Sequence, residues 1–332
     1  MNVAVVGATG AVGETILRVL EERRVPVGDL GTFASRTHPG GVRFRGAALD
    51  VRPASLEALA GFDVVFFAGG EDASEAYAPA LLERGSVVID NSATFRMQHG
   101  VPLIVPDVNG ETLRADQRLF PVANCTAIVL CSALRPVRDV AGLRAVRAAT
   151  YQAASGAGRA GLDELRAGER AVAGVSEEAV PAVFPRNLAR NVVPQIGSID
   201  ETGWSGEERK IRDEMRKMLE LPNLSVGATA VRVPVHTAHS AAVFLETERA
   251  TSVERLAAAF EAEPAIVFHR EGIVTPRDVE GADDVHVARL RADDDDGKRF
   301  ALWCVGDQLR KGAASNAVAI LELLLAKGYL AS

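Results

Sequence analysis

Cys125 is the side chain in this sequence best suited to covalent chemistry. It stands in Val122-Ala123-Asn124-Cys125-Thr126-Ala127, between an apolar run at Leu119–Val122 and a second at Ile128–Leu134. The second run reads as a buried helix rather than a strand, since it continues to Pro136 without a turn residue. Cys125 then falls at a helix N-terminus, where free N–H groups and the positive end of the dipole favour a thiolate. A thiolate attacks carbonyl carbon and leaves again readily, which suits acyl chemistry, although a lone cysteine is more commonly a small buried hydrophobe. Gln152, just before Ser155-Gly156-Ala157-Gly158, can orient a carbonyl or cap the turn. Arg96, which follows Asn91-Ser92-Ala93-Thr94-Phe95, is a candidate anion clamp or an ordinary surface arginine. Glu207 and Lys210 share one helix face, the spacing of a surface ion pair worth little. Arg232 alternates with Pro234 and His236 on one face of an expected strand. His236 and His239 are both available as a base, and periodicity does not choose between them.

The elements that must position these residues alternate at first between strand and helix. Val3–Val6 is a short apolar strand, followed by Gly7-Ala8-Thr9-Gly10-Ala11-Val12-Gly13 and an amphipathic run containing Ile16, Leu17, Val19 and Leu20. Strand, glycine turn and helix are the context of a dinucleotide fingerprint, here spaced G-x-x-G-x-x-G; tight βα turns also use glycines structurally. Such glycines let the backbone approach a pyrophosphate, which the helix N-terminus then holds. The next strand, Leu30–Ala34, ends in Ser35-Arg36-Thr37. No Asp or Glu stands there for a ribose hydroxyl, and an Arg accommodates a 2′-phosphate, which favours NADP over NAD, against a solvated loop arginine.

Strands at 63–70 and 86–90 flank a helix at 74–84. The pattern is an alternating chain with a parallel sheet whose strand C-termini face the ligand. Beyond residue 140 the character changes. Strands are expected at 143–153, 226–235, 240–246, 285–291 and 300–305, and helices at 159–173, 207–219 and 251–261, with a loop-rich crossing at 181–194. An amphipathic helix at 309–325 closes the chain. Asp293-Asp294-Asp295-Asp296-Gly297 reads as a solvated hairpin tip, since a calcium loop spaces its ligands differently.

Bulk properties narrow the function. Of 332 residues, 48% are hydrophobic and 24% charged, the balance of a globular protein with room for two domains. A net charge of -7 argues against nucleic acid as a general partner. No apolar stretch reaches a membrane span, and the N-terminus shows no basic flank or cleavage site. Three cysteines form neither a disulfide framework nor a zinc pattern, so no metal and a reducing cytoplasm are expected.

Taken together, Gly7–Gly13, Asn91–Arg96, Asn124-Cys125-Thr126, Gln152 with Ser155–Gly158, and Arg232-Val233-Pro234-Val235 followed by Ala238-His239-Ser240 resemble the aspartate-β-semialdehyde dehydrogenases, in their bacterial form. The resemblance runs in order from residue 3 to about 325. It implies an α/β fold: an N-terminal Rossmann-like doubly wound sheet, 1–123, completed by the C-terminal helix 307–332, and an α+β catalytic and dimerisation domain with a mixed sheet, 124–306. It implies reversible, NADP-dependent reductive dephosphorylation of 4-aspartyl phosphate to aspartate 4-semialdehyde and phosphate, on the route to lysine (with diaminopimelate), threonine and methionine. Cys125 matches the nucleophile that carries the thioester, His239 the acid/base and Gln152 the residue orienting the intermediate. Arg232 matches the ligand of the substrate carboxylate, Glu207 a substrate contact, and Arg96 and Lys210 the phosphate-binding residues. The cofactor positions fall on Thr9, Gly10, Ala11, Val12, Gly13, Ser35, Arg36, Thr37, Ser155, Gly156 and Gln308, and a homodimer is expected.

The sequence departs from the family pattern in three places. Thr126-Ala127 replaces a common Ser-Thr after the cysteine, Gln308 stands where Asn is common, and His236 is an additional histidine, expected to be structural or solvated. N-acetyl-γ-glutamyl-phosphate reductase shares the fold and the acyl phosphate chemistry, but the Arg232–His239 block resembles the aspartate enzyme. A non-catalytic dinucleotide-binding protein would leave Cys125, Gln152 and His239 without a task.

Overall fold

The computed structural model describes residues 1–177 and 180–330, with backbone only at 38–40. The chain divides into two compact units, Met1–Ala123 with Ala313–Ser332, and Asn124–Gly312. Residues 307–312, expected with the first, belong to the second.

The first unit contains β1 (Val3–Val6), α1 (Ala11–Glu22), β2 (Leu30–Ala34), β3 (His38–Phe44), β4 (Ala47–Pro53), α2 (Leu56–Leu59), β5 (Val64–Phe67), α3 (Glu71–Glu83), β6 (Val87–Asp90), α4 (Pro106–Asn109) and β7 (Leu119–Pro121). Its sheet runs β3-β4-β2-β1-β5-β6-β7, parallel except for the β3–β4 pair. Every residue of β1, β5 and β6 is buried. A parallel strand covered on both faces needs a continuous apolar run rather than alternation, and these three have one. The β3–β4 hairpin was not expected from the sequence. Its turn is Arg45-Gly46, both at positive φ, as a tight hairpin turn requires. β4 buries only Val51 fully, which leaves little apolar pattern to read.

The second unit contains α5 (Cys125–Ala141), β8 (Ala145–Gln152), α6 (Gly158–Val172), α7 (Gly206–Met218), β9 (Ser225–Arg232), β10 (His239–Glu246), α8 (Val253–Glu261), β11 (Ile266–His269), β12 (Val285–Ala292) and β13 (Arg299–Gly306). The mixed sheet runs β11-β12-β13-β10-β8-β9, with parallel pairs at β11–β12 and β8–β9 and antiparallel pairs between. One face of β8 is buried, carrying Val146, Ala148, Thr150 and Gln152; the opposite face carries Arg147 and Tyr151 and is exposed. α5 packs against α7, α8 and strands β10, β12 and β13.

Several expectations need correction. α5 continues through a buried Pro136 to Ala141, although the proline N cannot donate to the residue four back. β9 ends at Arg232 rather than Val235, so Arg232, Pro234 and His236 do not share a strand face. The edge strand β11 went unread. The acidic tip does lie between β12 and β13, where Arg299 pairs with Asp294 and Asp296.

The closing segment is a π-helical turn, Arg310–Ala314, followed by α9 (Ser315–Ala326). α9 is not amphipathic: Ser315–Val318, Ile320, Leu321 and Leu324 are buried, and its single charge, Glu322, pairs with Arg23 at 2.7 Å. It packs on α1, α4 and β6 within the first unit. A helix buried on most sides needs apolar residues all round.

Candidate active site

The glycine turn of the first unit is built by steric exclusion. Gly7 sits at φ +83°, and a Cβ there would lie 2.5 Å from the Gly69 nitrogen. A Cβ on Gly13 would lie 2.2 Å from the Gly7 oxygen, so α1 can approach β1 this closely only with glycine. Gly10 is the N-cap of α1 and supplies no capping side chain, which leaves the first-turn N–H groups at Ala11, Val12 and Gly13 for another acceptor. Thr9 and Gly10 border a cleft of about 600 Å³ together with Ser35, Gly70, Asp72 and Tyr77. A bare helix N-terminus beside a cleft of this size, floored by backbone, fits the phosphates and one half of a dinucleotide. Arg36 and Thr37 are exposed beyond the tip of β2.

Arg96 is not a surface arginine; it is 9% exposed. Its loop is organised by the fully buried Asp90 at the end of β6, which accepts hydrogen bonds from Ser74 Oγ at 2.7 Å, Ser92 N at 2.9 Å and Ser92 Oγ at 2.6 Å. Arg96 Nη2 donates to Asn91 O at 2.9 Å.

In the second unit Cys125 is the first residue of α5, half-buried, with Asn124 as N-cap. Asn124 Oδ1 accepts from the N–H groups of Thr126 and Ala127, both at 3.0 Å. That fixes the amide orientation, since only oxygen can accept from two backbone donors. Its Nδ2 donates to Glu207 Oε1 at 2.9 Å, and Gln152 Nε2 donates to the same oxygen at 3.0 Å. Gln152 Oε1 accepts from Thr150 Oγ1 at 3.0 Å. Glu207 is therefore not the surface ion-pair residue its spacing suggested. It is a buried carboxylate that orients two amides, while Lys210 is exposed one turn on.

Arg232, at the end of β9, is buried and donates through Nη1 to Ala153 O at 2.6 Å. Burial lowers its pKa, and the charges of Cys125 and Glu207 oppose that shift. His239 opens β10 at 1% exposure, and its Nδ1 accepts from the Ala153 N–H at 3.0 Å. Burial first, and the Arg232 charge second, hold its pKa well below the ordinary imidazole value, so the ring is neutral at pH 7. A neutral imidazole whose Nδ1 accepts a backbone N–H carries its proton on Nε2. That Nε2 is buried without a hydrogen-bond partner among the described residues. It is a donor awaiting an oxygen. His236 lies outside this set: its Nε2 is 3.0 Å from Glu169 Oε2, and its side chain is 42% exposed.

Two glycines bring backbone into contact with these groups. A Cβ on Gly156 would lie 2.7 Å from Arg232 Nη1 and 2.9 Å from His239 Cε1; one on Gly312 would lie 2.7 Å from Cys125 Cβ. Gln308 is buried and tied within the chain, with Nε2 donating to Ser155 Oγ at 2.6 Å and Oε1 accepting from Ala238 N at 2.7 Å. The sequence reading missed Gly312, Thr150 and Glu214. Of these only Glu214 carried a signal, standing seven residues, two helical turns, after Glu207 and so on its face.

The chain matches two family models, "Semialdehyde dehydrogenase, NAD binding domain" over residues 2–116 and "Semialdehyde dehydrogenase, dimerisation domain" over 134–311. It is 38% identical to the aspartate-semialdehyde dehydrogenase of Bacillus subtilis, over 98% of this chain and 97% of that one. It is also 38% identical to that of Aquifex aeolicus, over 99% of each. The crystal structure of aspartate semialdehyde dehydrogenase II from Vibrio cholerae complexed with ASA superposes with a TM-score of 0.90 at 36% identity, covering 98% of each chain. On the fold, the site and these matches, the chain belongs to the aspartate-semialdehyde dehydrogenase family of oxidoreductases, with a nicotinamide-nucleotide-binding first domain.

Proposed function

We propose that the chain interconverts aspartate 4-semialdehyde plus phosphate with 4-aspartyl phosphate, using NADP, through a thioester on Cys125. The observation that carries the reading is the buried hydrogen-bonded set Asn124–Glu207–Gln152, which holds Cys125 at the first position of α5 in a unit that also buries Arg232 and His239. In the oxidative direction Cys125 Sγ, as thiolate, attacks the aldehyde carbon and the C=O π pair moves to the oxygen, giving a thiohemiacetal oxyanion. The His239 Nε2–H donates a hydrogen bond to that oxyanion and Gln152 orients it. Loss of the C–H hydride to a bound nicotinamide would re-form the C=O bond and leave the thioester. A phosphate oxygen then attacks the resulting thioester, the C–S bond breaks, and Cys125 leaves as thiolate. Arg232 takes the substrate carboxylate and Glu207 makes a further substrate contact, fixing the carbonyl before attack. Arg96 and Lys210 hold the phosphate.

Thr9–Gly13, Ser35–Thr37, Ser155, Gly156 and Gln308 are the cofactor contacts in this reading, with Arg36 and the lack of an acid at the β2 tip favouring the 2′-phosphate of NADP. The reaction serves lysine, threonine and methionine biosynthesis in the cytoplasm. The protein acts as a homodimer, for which the dimerisation domain and the exposed Tyr151 and Phe244 on the outer face of the second sheet are the support. The test is reduction of NADP and of NAD by purified protein with aspartate semialdehyde, with and without phosphate. Phosphate-dependent reduction, faster with NADP, is expected; turnover confined to N-acetylglutamate semialdehyde would overturn the reading.

A further inference from the structure

The helix that carries Cys125 does not complete its own cap. In a capping box the third helical residue, Glu or Gln, reaches back to the backbone N–H of the N-cap. Here that residue is Ala127, which is buried and has no polar side-chain atom. The Asn124 N–H is instead accepted by Glu214 Oε2 at 2.5 Å, from α7, and Glu214 is 1% exposed. Glu207, on the same face of α7, accepts the Asn124 side-chain amide. Side chain and backbone of the N-cap are thus both held by one neighbouring helix.

That helix is itself anchored. Ser205 and Glu208 form its capping box, and Glu208 Oε1 also accepts from Ala230 N at 3.0 Å, two residues before Arg232 on β9. Glu208 ties α7 to the strand bearing Arg232, and Glu207 and Glu214 tie it to the cap preceding Cys125. We propose that Glu214 is a positioning residue for the nucleophile: it supplies from α7 the acceptor that a capping box would supply from within the helix, and so sets where Cys125 Sγ stands relative to Arg232. An acceptor held on a separate, anchored helix fixes position as well as satisfying the N–H, which a local Glu at 127 would not do.

The proposal rests on Cys125 being the nucleophile, and its test reads Cys125 separately from turnover. Glu214→Gln keeps an acceptor oxygen and nearly the same shape; Glu214→Ala removes the acceptor. For each, kcat, both KM values and the rate of iodoacetamide alkylation at Cys125, Cys131 and Cys304 are measured. The last two are buried and report loss of fold. The glutamine variant should stay within about threefold of wild type, while the alanine variant should lose about thirtyfold in kcat with KM values within about threefold, the size of effect expected when a reacting atom shifts by under 1 Å. Alkylation of Cys125 should slow in the alanine variant, with Cys131 and Cys304 still protected. Wild-type kcat and Cys125 reactivity in Glu214→Ala, or an equal loss in Glu214→Gln, would overturn the proposal.

If Glu214→Ala exposes Cys131 and Cys304, Glu214→Asp decides, since it keeps the charge and shortens the reach. A roughly tenfold loss of kcat supports positioning, and none overturns it. Absence of wild-type turnover on aspartate semialdehyde would sink the proposed function, while the alkylation arms would still decide on Glu214.

Discussion

The two units each place a helix N-terminus at a site of interest, and they finish it in opposite ways. α1 begins at Gly10 with no capping side chain. α5 begins at Asn124, whose side chain takes two N–H groups and whose own N–H and amide are taken by Glu214 and Glu207. An open terminus keeps its donors and its field for an incoming anion. A closed one has spent the N–H groups of Thr126 and Ala127 on its own cap, and what it offers is the fixed position of its first side chain. The first is therefore suited to bind and the second to react, and substitutions that exchange the two designs should separate those functions.

The largest effect is expected from Asn124→Ala, which opens the second terminus. It removes a cap worth about 1–2 kcal/mol of stability. It also frees Glu207 and Gln152, and kcat should fall about a hundredfold with cofactor KM unchanged, as steady-state kinetics would show. Next is Gly156→Ala, whose Cβ would meet Arg232 Nη1 and His239. We expect kcat/KM for the aldehyde to fall by about tenfold or more, since both side chains must move. Closing the first terminus with Gly10→Ser is milder: the cap gains a few tenths of a kcal/mol, about the glycine-to-serine difference, while KM for NADP rises severalfold. A melting temperature that rises while cofactor KM stays constant would break the comparison.

The smallest effect is in the pH dependence of stability. His239 is held neutral in the folded protein, with a pKa below its ordinary 6.5. The unfolded chain therefore binds the extra proton first, and the stability present above pH 6.5 is lost as pH falls below it. Melting temperature measured from pH 7.5 to 5.5 should decline less steeply in His239→Gln than in wild type.

These contrasts also explain what the sequence made legible. β1, β5 and β6 read clearly because strands buried on both faces need apolar runs, broken only by Asp90 at the end of β6, and Gly7 and Gly13 stand where a Cβ collides with backbone. The β3–β4 hairpin was invisible because β4 buries one residue fully and its Arg45-Gly46 turn is not a common hairpin signal. Val233–Val235 read as strand because Val-Pro-Val is apolar, yet β9 ends at Arg232 and the chain turns before β10, with Ala238 at φ +70°. The residues around Cys125 stood in the sequence as separate motifs, 27 residues apart between Cys125 and Gln152 and 107 between Arg232 and Cys125. Spacing gave Glu207 and Lys210 a shared surface face; the fold buries the first and leaves the second exposed. Helical spacing puts Glu214 on the face of Glu207, but neither its contact with Asn124 nor that of Gly312 with Cys125 follows from any local pattern.

That Cys125 carries the acyl group is tested most directly by a rapid-mixing record of cofactor reduction with aspartate semialdehyde in the absence of phosphate. A burst of about one reduced nicotinamide per chain is expected, followed by near arrest that phosphate relieves, because the thioester accumulates without its acceptor. Cys125→Ala should show neither burst nor turnover. A burst that persists in Cys125→Ala, or steady wild-type turnover indifferent to phosphate, would contradict it.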